Sequence, residues 1–198
     1  MHVSGVSPGD EMVLPCGKKG SAKVHVRVVE CVHTVPCVGY VLSTMVNKLL
    51  PELQGAPSDE IARRRKAGDQ VTEEVRTPVM AFLGDTTPEV FERNKGLEEV
   101  PTVFVECTGY LVGTEEKMAA RGHTHWSALR PVVERNPGTT YVLIHISQGV
   151  KEGDAVDVLV ASGLSNVILW LDSGVVEIAG LLGADEGVGG VESGGTKT

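Results

Sequence analysis

Val79-Met80-Ala81-Phe82-Leu83-Gly84-Asp85-Thr86 is the stretch on which the fold turns. Five apolar, β-compatible residues are followed by a glycine and then a carboxylate, the pattern of a buried strand ending in a turn. Three other runs repeat it. Val24-His25-Val26-Arg27-Val28 alternates and continues through Val29-Glu30-Cys31-Val32 to His33. Val103-Phe104-Val105 leads to Glu106-Cys107-Thr108, and Tyr141-Val142-Leu143-Ile144 leads to His145. Between the last two runs, Glu115 to Arg121 and Trp126 to Arg135 read as helices, with His123 in the break at Gly122. Residues 154–162 read as a further helix, and Asn166 to Leu171 as a last strand. Strands alternating with helices predict an α/β sheet.

Each of the four strands delivers a chemically capable residue at its C-terminal end: His33, Asp85, Glu106 and His145. In open α/β sheets that edge is where ligand sites gather. A single histidine at a strand end is ordinarily a surface or capping residue. Four such endings together favour a site, and two imidazoles with a carboxylate suit a borderline metal such as zinc, with Asp85 able to bridge two ions. His123 adds an imidazole that a carboxylate such as Glu106 would tune for acid–base work. His125, next to Trp126, reads equally well as the start of a helix.

The 198 residues are 41% apolar and 4% aromatic, with a formal charge of −8. That is enough chain for one domain with a core. It excludes a surface coated in basic residues, so any nucleic-acid contact must be local. The one basic run is Arg63-Arg64-Arg65-Lys66, inside a polar insertion at 46–76 that reads as a helix with flexible ends. The run serves either as a solvated helix face, flanked by Asp59, Glu60 and Asp69, or as a grip on phosphates. No apolar stretch reaches the roughly 20 residues a membrane helix needs, and the start lacks the pattern of a signal peptide. The four cysteines form no C-x-x-C pair, which suggests a reducing compartment. Cys31-x-His33-x-x-x-Cys37 is a lesser zinc possibility without a fourth ligand at finger spacing. Residues 181–198 are Gly-rich and read as a disordered tail behind a domain at 1–180.

In order along the chain, these endings resemble the tRNase Z (ribonuclease Z) family of metallo-β-lactamase-fold endonucleases, nearest the short plant-like form. Val32-His33-Thr34-Val35-Pro36-Cys37-Val38-Gly39-Tyr40 is similar to the family's H-x-V-P-S-x-G-Y segment, and KLLPELQGAPSDEIARRRKAGDQV to the arm after it. Phe82 to Thr86 resembles F-x-G-D-T, and Val105 to Thr108 resembles E-[SA]-T. Gly122 to His125 resembles G-H-x-H, and Leu143 to Ser147 resembles L-I-H-F-S. Each motif alone is weak, but six in the right order are specific.

The resemblance implies an αββα sandwich holding two zinc ions. It gives His33 to one zinc and His145 to the other, has Asp85 bridge them, and pairs Glu106 with His123 as the acid. It implies a precursor tRNA cut 3′ of the acceptor stem, with Arg63, Arg64, Arg65 and Lys66 touching its phosphates. Two departures stand out. The family's S-x-R-Y is here Ser147-Gln148-Gly149-Val150, and its H-x-H-x-D-H motif is absent from these 198 residues. The expectation is therefore a fold lacking its N-terminal half, with an incomplete zinc set and no activity alone. It would be completed by an N-terminal-half chain, a homologue or a second copy. The alternatives are a non-catalytic half-fold that docks on a homologue or binds RNA, and a related metal-dependent phosphodiesterase with a small substrate. A cytoplasmic or nuclear location is expected, a mitochondrial one staying open.

Overall fold

The computed structural model describes residues 5–16 and 22–182. Its eight strands are β1 (Glu11–Cys16), β2 (Ala22–Cys31), β3 (Cys37–Leu49), β4 (Thr72–Phe82), β5 (Thr102–Glu106), β6 (Thr140–Ile144), β7 (Val167–Leu171) and β8 (Gly174–Glu177). They form one sheet in the order of the sequence. β1 to β4 are antiparallel neighbours, β4 to β7 run parallel, and β8 returns antiparallel. The helices are α1 (Ser58–Ala67), α2 (Val90–Arg93), α3 (Glu115–Ala120), α4 (Trp126–Arg135), α5 (Glu152–Ala161) and α6 (Ile178–Leu182). The α/β class expected from the alternation is what the chain forms.

Side-chain alternation along a strand sorts the sheet into two faces. Ala81, Val103, Val105, Tyr141, Leu143, Val167 and Leu169 join one buried cluster with Phe91 of α2, Leu129 and Val133 of α4, Leu159 of α5 and Ile178 of α6. The even-numbered neighbours point the other way. Val28, Tyr40, Phe82, Phe104, Val142 and Ile168 are successive register partners across six strands, an unbroken apolar row. Phe82 in this row is 45% exposed, and Trp170 beside it is 52% exposed. Parallel strands are ordinarily covered on both faces; on this face Val28 and Val142 are buried, but Phe82 and Trp170 lie open.

The insertion differs from its sequence reading. Its helix is present as α1, but the flanks are strand rather than flexible ends. Met45 pairs with Arg76, Lys48 with Glu73 and Leu49 with Thr72, so β3 and β4 project as a two-stranded ribbon with α1 near its tip. Both faces of the ribbon carry polar residues, which hides the period-2 signal, and backbone pairing supplies what apolar patterning does not. Sequence reading also passed over β1, β3 and β8. Of the proposed tail, Leu181 and Leu182 close α6, and 183–198 lie outside the described residues. No described helix is long and apolar enough to cross a membrane.

Candidate metal and acid–base site

The sheet order brings β4, β5 and β6 side by side, so Asp85, Glu106 and His145 meet at one edge. His33 arrives from the β2–β3 hairpin and His123 from the turn between α3 and α4. Three threonines tie these loops together. Thr86 Oγ1 accepts from the Val32 amide at 2.8 Å, and Thr124 Oγ1 donates to the Thr86 carbonyl at 2.7 Å. Gly122 makes the approach of the His33 and His123 loops possible. It sits at φ +77°, and a Cβ there would lie 2.8 Å from the Thr34 amide nitrogen and 3.0 Å from His33 Cα.

Glu106 is the buried centre, 1% exposed. Its Oε1 accepts from the Thr86 amide at 2.9 Å and faces His123 Nδ1 at 2.7 Å. Its Oε2 accepts from Thr108 Oγ1 at 2.6 Å and from the Thr124 amide at 3.2 Å. A carboxylate only accepts, so His123 Nδ1 carries the proton it donates, and the one free ring atom of His123 is Nε2. Carboxylate–imidazole pairing of this kind fixes both tautomer and ring orientation.

The same logic extends through Thr108. Its single hydroxyl proton goes to the carboxylate, the shortest and charge-assisted contact. Its oxygen therefore accepts from His145 Nδ1 at 2.9 Å, which leaves the His145 Nε2 lone pair free, 3.9 Å from Asp85 Oδ1. His145 also holds φ +63°, the one positive value among described non-glycine residues. Such a conformation costs about 1–3 kcal/mol and concentrates at functional sites.

The three imidazoles cluster. The His123 ring centroid is 5.0 Å from that of His33 and 5.3 Å from that of His145. Two groups of donors lie within 4.8 Å: His33, Asp85 and His123, and Glu106, His123 and His145. The residues fit a zinc ion at the first group, where His33 Nε2 is buried without a hydrogen-bond partner. A metal there needs the 3.3 Å contact between the Val35 amide and His33 Nδ1 to yield. In the second group Glu106 is already held by four donors. It is better suited to orienting His123 than to binding an ion.

Two sequence expectations are revised. Neither three-donor group among the described residues contains a cysteine, because Cys31 and Cys37 side chains turn into the core, so the Cys31-His33-Cys37 zinc possibility falls. His125 is the helix starter of the two readings offered: Nδ1 accepts from the Ser127 amide at 3.2 Å and Nε2–H donates to the Leu111 carbonyl at 3.2 Å. The four basic residues are not at this edge. Arg63, Arg64, Arg65 and Lys66 are exposed on α1, beyond the 13 residues of β3, roughly 40 Å of strand. Arg64 pairs with Glu60 at 3.2 Å. Sequence reasoning gave no role to Thr86, Thr108 or Thr124, although each stood inside or beside a quoted motif.

Comparison with curated proteins gives 30% identity over 165 residues with tRNase Z TRZ1 of Arabidopsis thaliana, covering 80% of this chain and 56% of the relative. The chain is similar to tRNase Z. A second relative, the chloroplastic tRNase Z TRZ2 of the same plant, is 29% identical over 118 residues, 58% of this chain and 33% of its own. The chain thus spans about half, and about a third, of the tRNase Z relatives it matches. No protein-family model matches it. Among solved structures, the metallo-β-lactamase fold protein YhfI of Bacillus subtilis aligns with a TM-score of 0.47 at 11% identity, over 86% of this chain and 54% of that one. The short form of human tRNase Z, ELAC1, aligns with a TM-score of 0.41 at 15% identity, over 84% and 47%. The tRNase Z resemblance drawn from motif order is upheld by the overall sequence similarity to the two plant proteins.

Proposed function

We propose that this chain carries the proton-transfer half of a zinc-dependent endoribonuclease of tRNase Z type, which hydrolyses a phosphodiester to remove the 3′ trailer of precursor tRNA. The observation that carries the reading is the buried Glu106–His123 pair set among His33, Asp85 and His145. Zinc bound there supplies a Lewis acid and a nucleophile competent at neutral pH. Glu106 holds His123 through Nδ1–H so that Nε2 faces the reacting phosphate; as an imidazolium, the ring uses Nε2–H either to hold that phosphate or to protonate the leaving oxygen. His33, His145 and Asp85 would hold the metal. The exposed basic face of α1 takes tRNA phosphates away from the scissile bond, a contact that fixes register rather than chemistry.

If His123 serves as acid, each ion finds one imidazole and a share of Asp85 in this chain. Catalytic zinc takes about three protein ligands. The remainder comes from a polypeptide that lays a second sheet on the apolar row and brings the missing donors to the same edge. The expected result is weak zinc binding and no cleavage by the 198-residue chain alone. Cleavage of a precursor tRNA should appear when a chain carrying H-x-H-x-D-H is co-expressed, and should be lost again in His123→Ala. Tight binding of two zinc ions by the chain alone would overturn the shared-site reading.

A non-catalytic RNA-binding role is the second reading, favoured by Gly149 and Val150 where the resemblance expects the arginine and tyrosine of S-x-R-Y. Its signature is tRNA binding unaffected by His123→Ala, with no cleavage under any complementation.

A further inference from the structure

Cys31 and Cys37 are direct register partners, the last pair of the β2–β3 hairpin before the loop that bears His33. Residues opposed in an antiparallel pair have Cα atoms about 4.5–5.5 Å apart and side chains on one face, inside the 4.4–6.8 Å window of a disulfide. Both cysteines are free. Cys31 belongs to the buried cluster and Cys37 packs against it, partly exposed. Cys37 and the Gly84 backbone both neighbour the Cys31 thiol, whose pKa burial pushes up to about 12. Gly84 is also pressed against the second thiol: a Cβ there would lie 2.5 Å from Cys37 Sγ. The pair therefore touches both carriers of the candidate metal donors, the His33 loop on one side and the Gly84–Asp85 turn on the other. The segment that resembles H-x-V-P-S-x-G-Y has Cys37 where that pattern has serine, so the second thiol is a departure from it.

We propose that Cys31 and Cys37 form a reversible redox site, closed by peroxide, whose disulfide staples the His33 hairpin and displaces the Gly84–Asp85 turn. Cys37, the more accessible sulfur, attacks a peroxide oxygen. The O–O bond breaks, hydroxide leaves as water with the thiol proton, and Cys37 becomes the sulfenic acid. The Cys31 sulfur then attacks the Cys37 sulfur. The S–S bond forms, the S–O bond breaks, and the departing hydroxide takes the Cys31 proton as a second water. Two thiols and one hydrogen peroxide give one disulfide and two waters, the sulfurs losing the two electrons that the peroxide gains. A dithiol reductant reverses the reaction by exchange. The site rests on the hairpin geometry and stands apart from the zinc reading.

The test treats the whole chain with one equivalent of hydrogen peroxide, blocks remaining thiols with N-ethylmaleimide under denaturing conditions, and maps the peptides by mass spectrometry. The expected result is one joined Cys31–Cys37 species, lighter than the dithiol by two hydrogens, with both sites lost to alkylation and restored by dithiothreitol. Amide hydrogen exchange should slow across 32–36 and change at 84–86 in the oxidised chain. Cys37→Ser, and independently Cys31→Ala, should abolish both effects while leaving the reduced exchange pattern elsewhere unchanged. Sulfinic acid at Cys37 with Cys31 still alkylated would overturn the proposal. So would a link to Cys16 or to another chain, or a Cys31–Cys37 link with unaltered exchange at 32–36.

Discussion

A threonine hydroxyl has one proton to give. At Thr108 it goes to Glu106 at 2.6 Å, which turns the oxygen toward His145 Nδ1 at 2.9 Å. Thr108→Val keeps the shape and removes this relay. It strands one Glu106 oxygen with a single amide donor and frees the His145 tautomer. The fold should lose about 2 kcal/mol, the scale of a hydrogen bond to a charged group, read as a lower urea midpoint at unchanged slope. Zinc affinity, measured against a chromophoric chelator, should fall about 10–100-fold, as for other outer partners of metal ligands. The two histidines of Gly122-His123-Thr124-His125 should separate cleanly. His125→Ala removes a helix cap and costs about 1 kcal/mol while zinc affinity stays within twofold or so of native. His123→Ala should abolish cleavage by the complemented enzyme and, because it takes a donor from Glu106 Oε1 as Thr108→Val does from Oε2, cost about 2 kcal/mol of stability. Equal effects of the two on stability and cleavage would contradict the assignment. His33, Asp85, Glu106 and His145 were legible because each closes or follows a β-rich run, and His123 because it stands in the break between two helices. The threonines were not: they look like ordinary strand and turn residues, and their partners lie 37 and 38 positions away in sequence.

At the scale of elements, α1 buries no residue at all, so it contributes nothing to the core and is free to serve a partner. Gly68, at φ +91°, ends it in a left-handed cap, and its amide bonds back to the Arg64 and Arg65 carbonyls. Replacing Arg63, Arg65 and Lys66 together by alanine should leave stability within about 0.5 kcal/mol, as for other exposed sites. Filter binding of precursor tRNA should weaken in the same variant. The slope of log affinity against log salt should shrink by about one for each phosphate that the variant no longer neutralises. An unchanged slope would leave α1 a solvated face, the other reading its flanking acids allow. The helix itself could be read from sequence, since ten residues without a breaker precede Gly68. The ribbon beneath it could not. Its pairs, such as Lys48 with Glu73, join polar residues 25 positions apart, and a strand wet on both faces leaves no apolar period to find.

For the molecule as a whole, one sheet face is packed under helices and the other presents an apolar row from Val28 to Ile168. A missing half, as the resemblance implies, would leave a sheet face without its covering layer. The row itself needed the register, because its members alternate with core residues and look like plain strand hydrophobics. The packed face sets the chain's response to alkali. Burial pushes the Cys107 thiol up from 9.0 to about 12, and does the same to the Tyr141 hydroxyl, from 10.0 to about 12. Tyr110 is raised for the same reason. Each group keeps its proton in the folded chain after the unfolded chain has released it. The stability they confer is therefore complete below about pH 9 and drains away as pH rises toward 12. For Cys107, fully buried, the slope approaches about 1.4 kcal/mol per pH unit. The urea midpoint of the reduced chain should hold steady up to about pH 8 and fall steeply by about pH 11. Cys107→Ala starts slightly lower, because its core side chain is smaller, but falls less steeply because one proton no longer differs between the two states. A midpoint that stays level through that range, or a variant as steep as the native chain, would show that these groups are not held in the packed core.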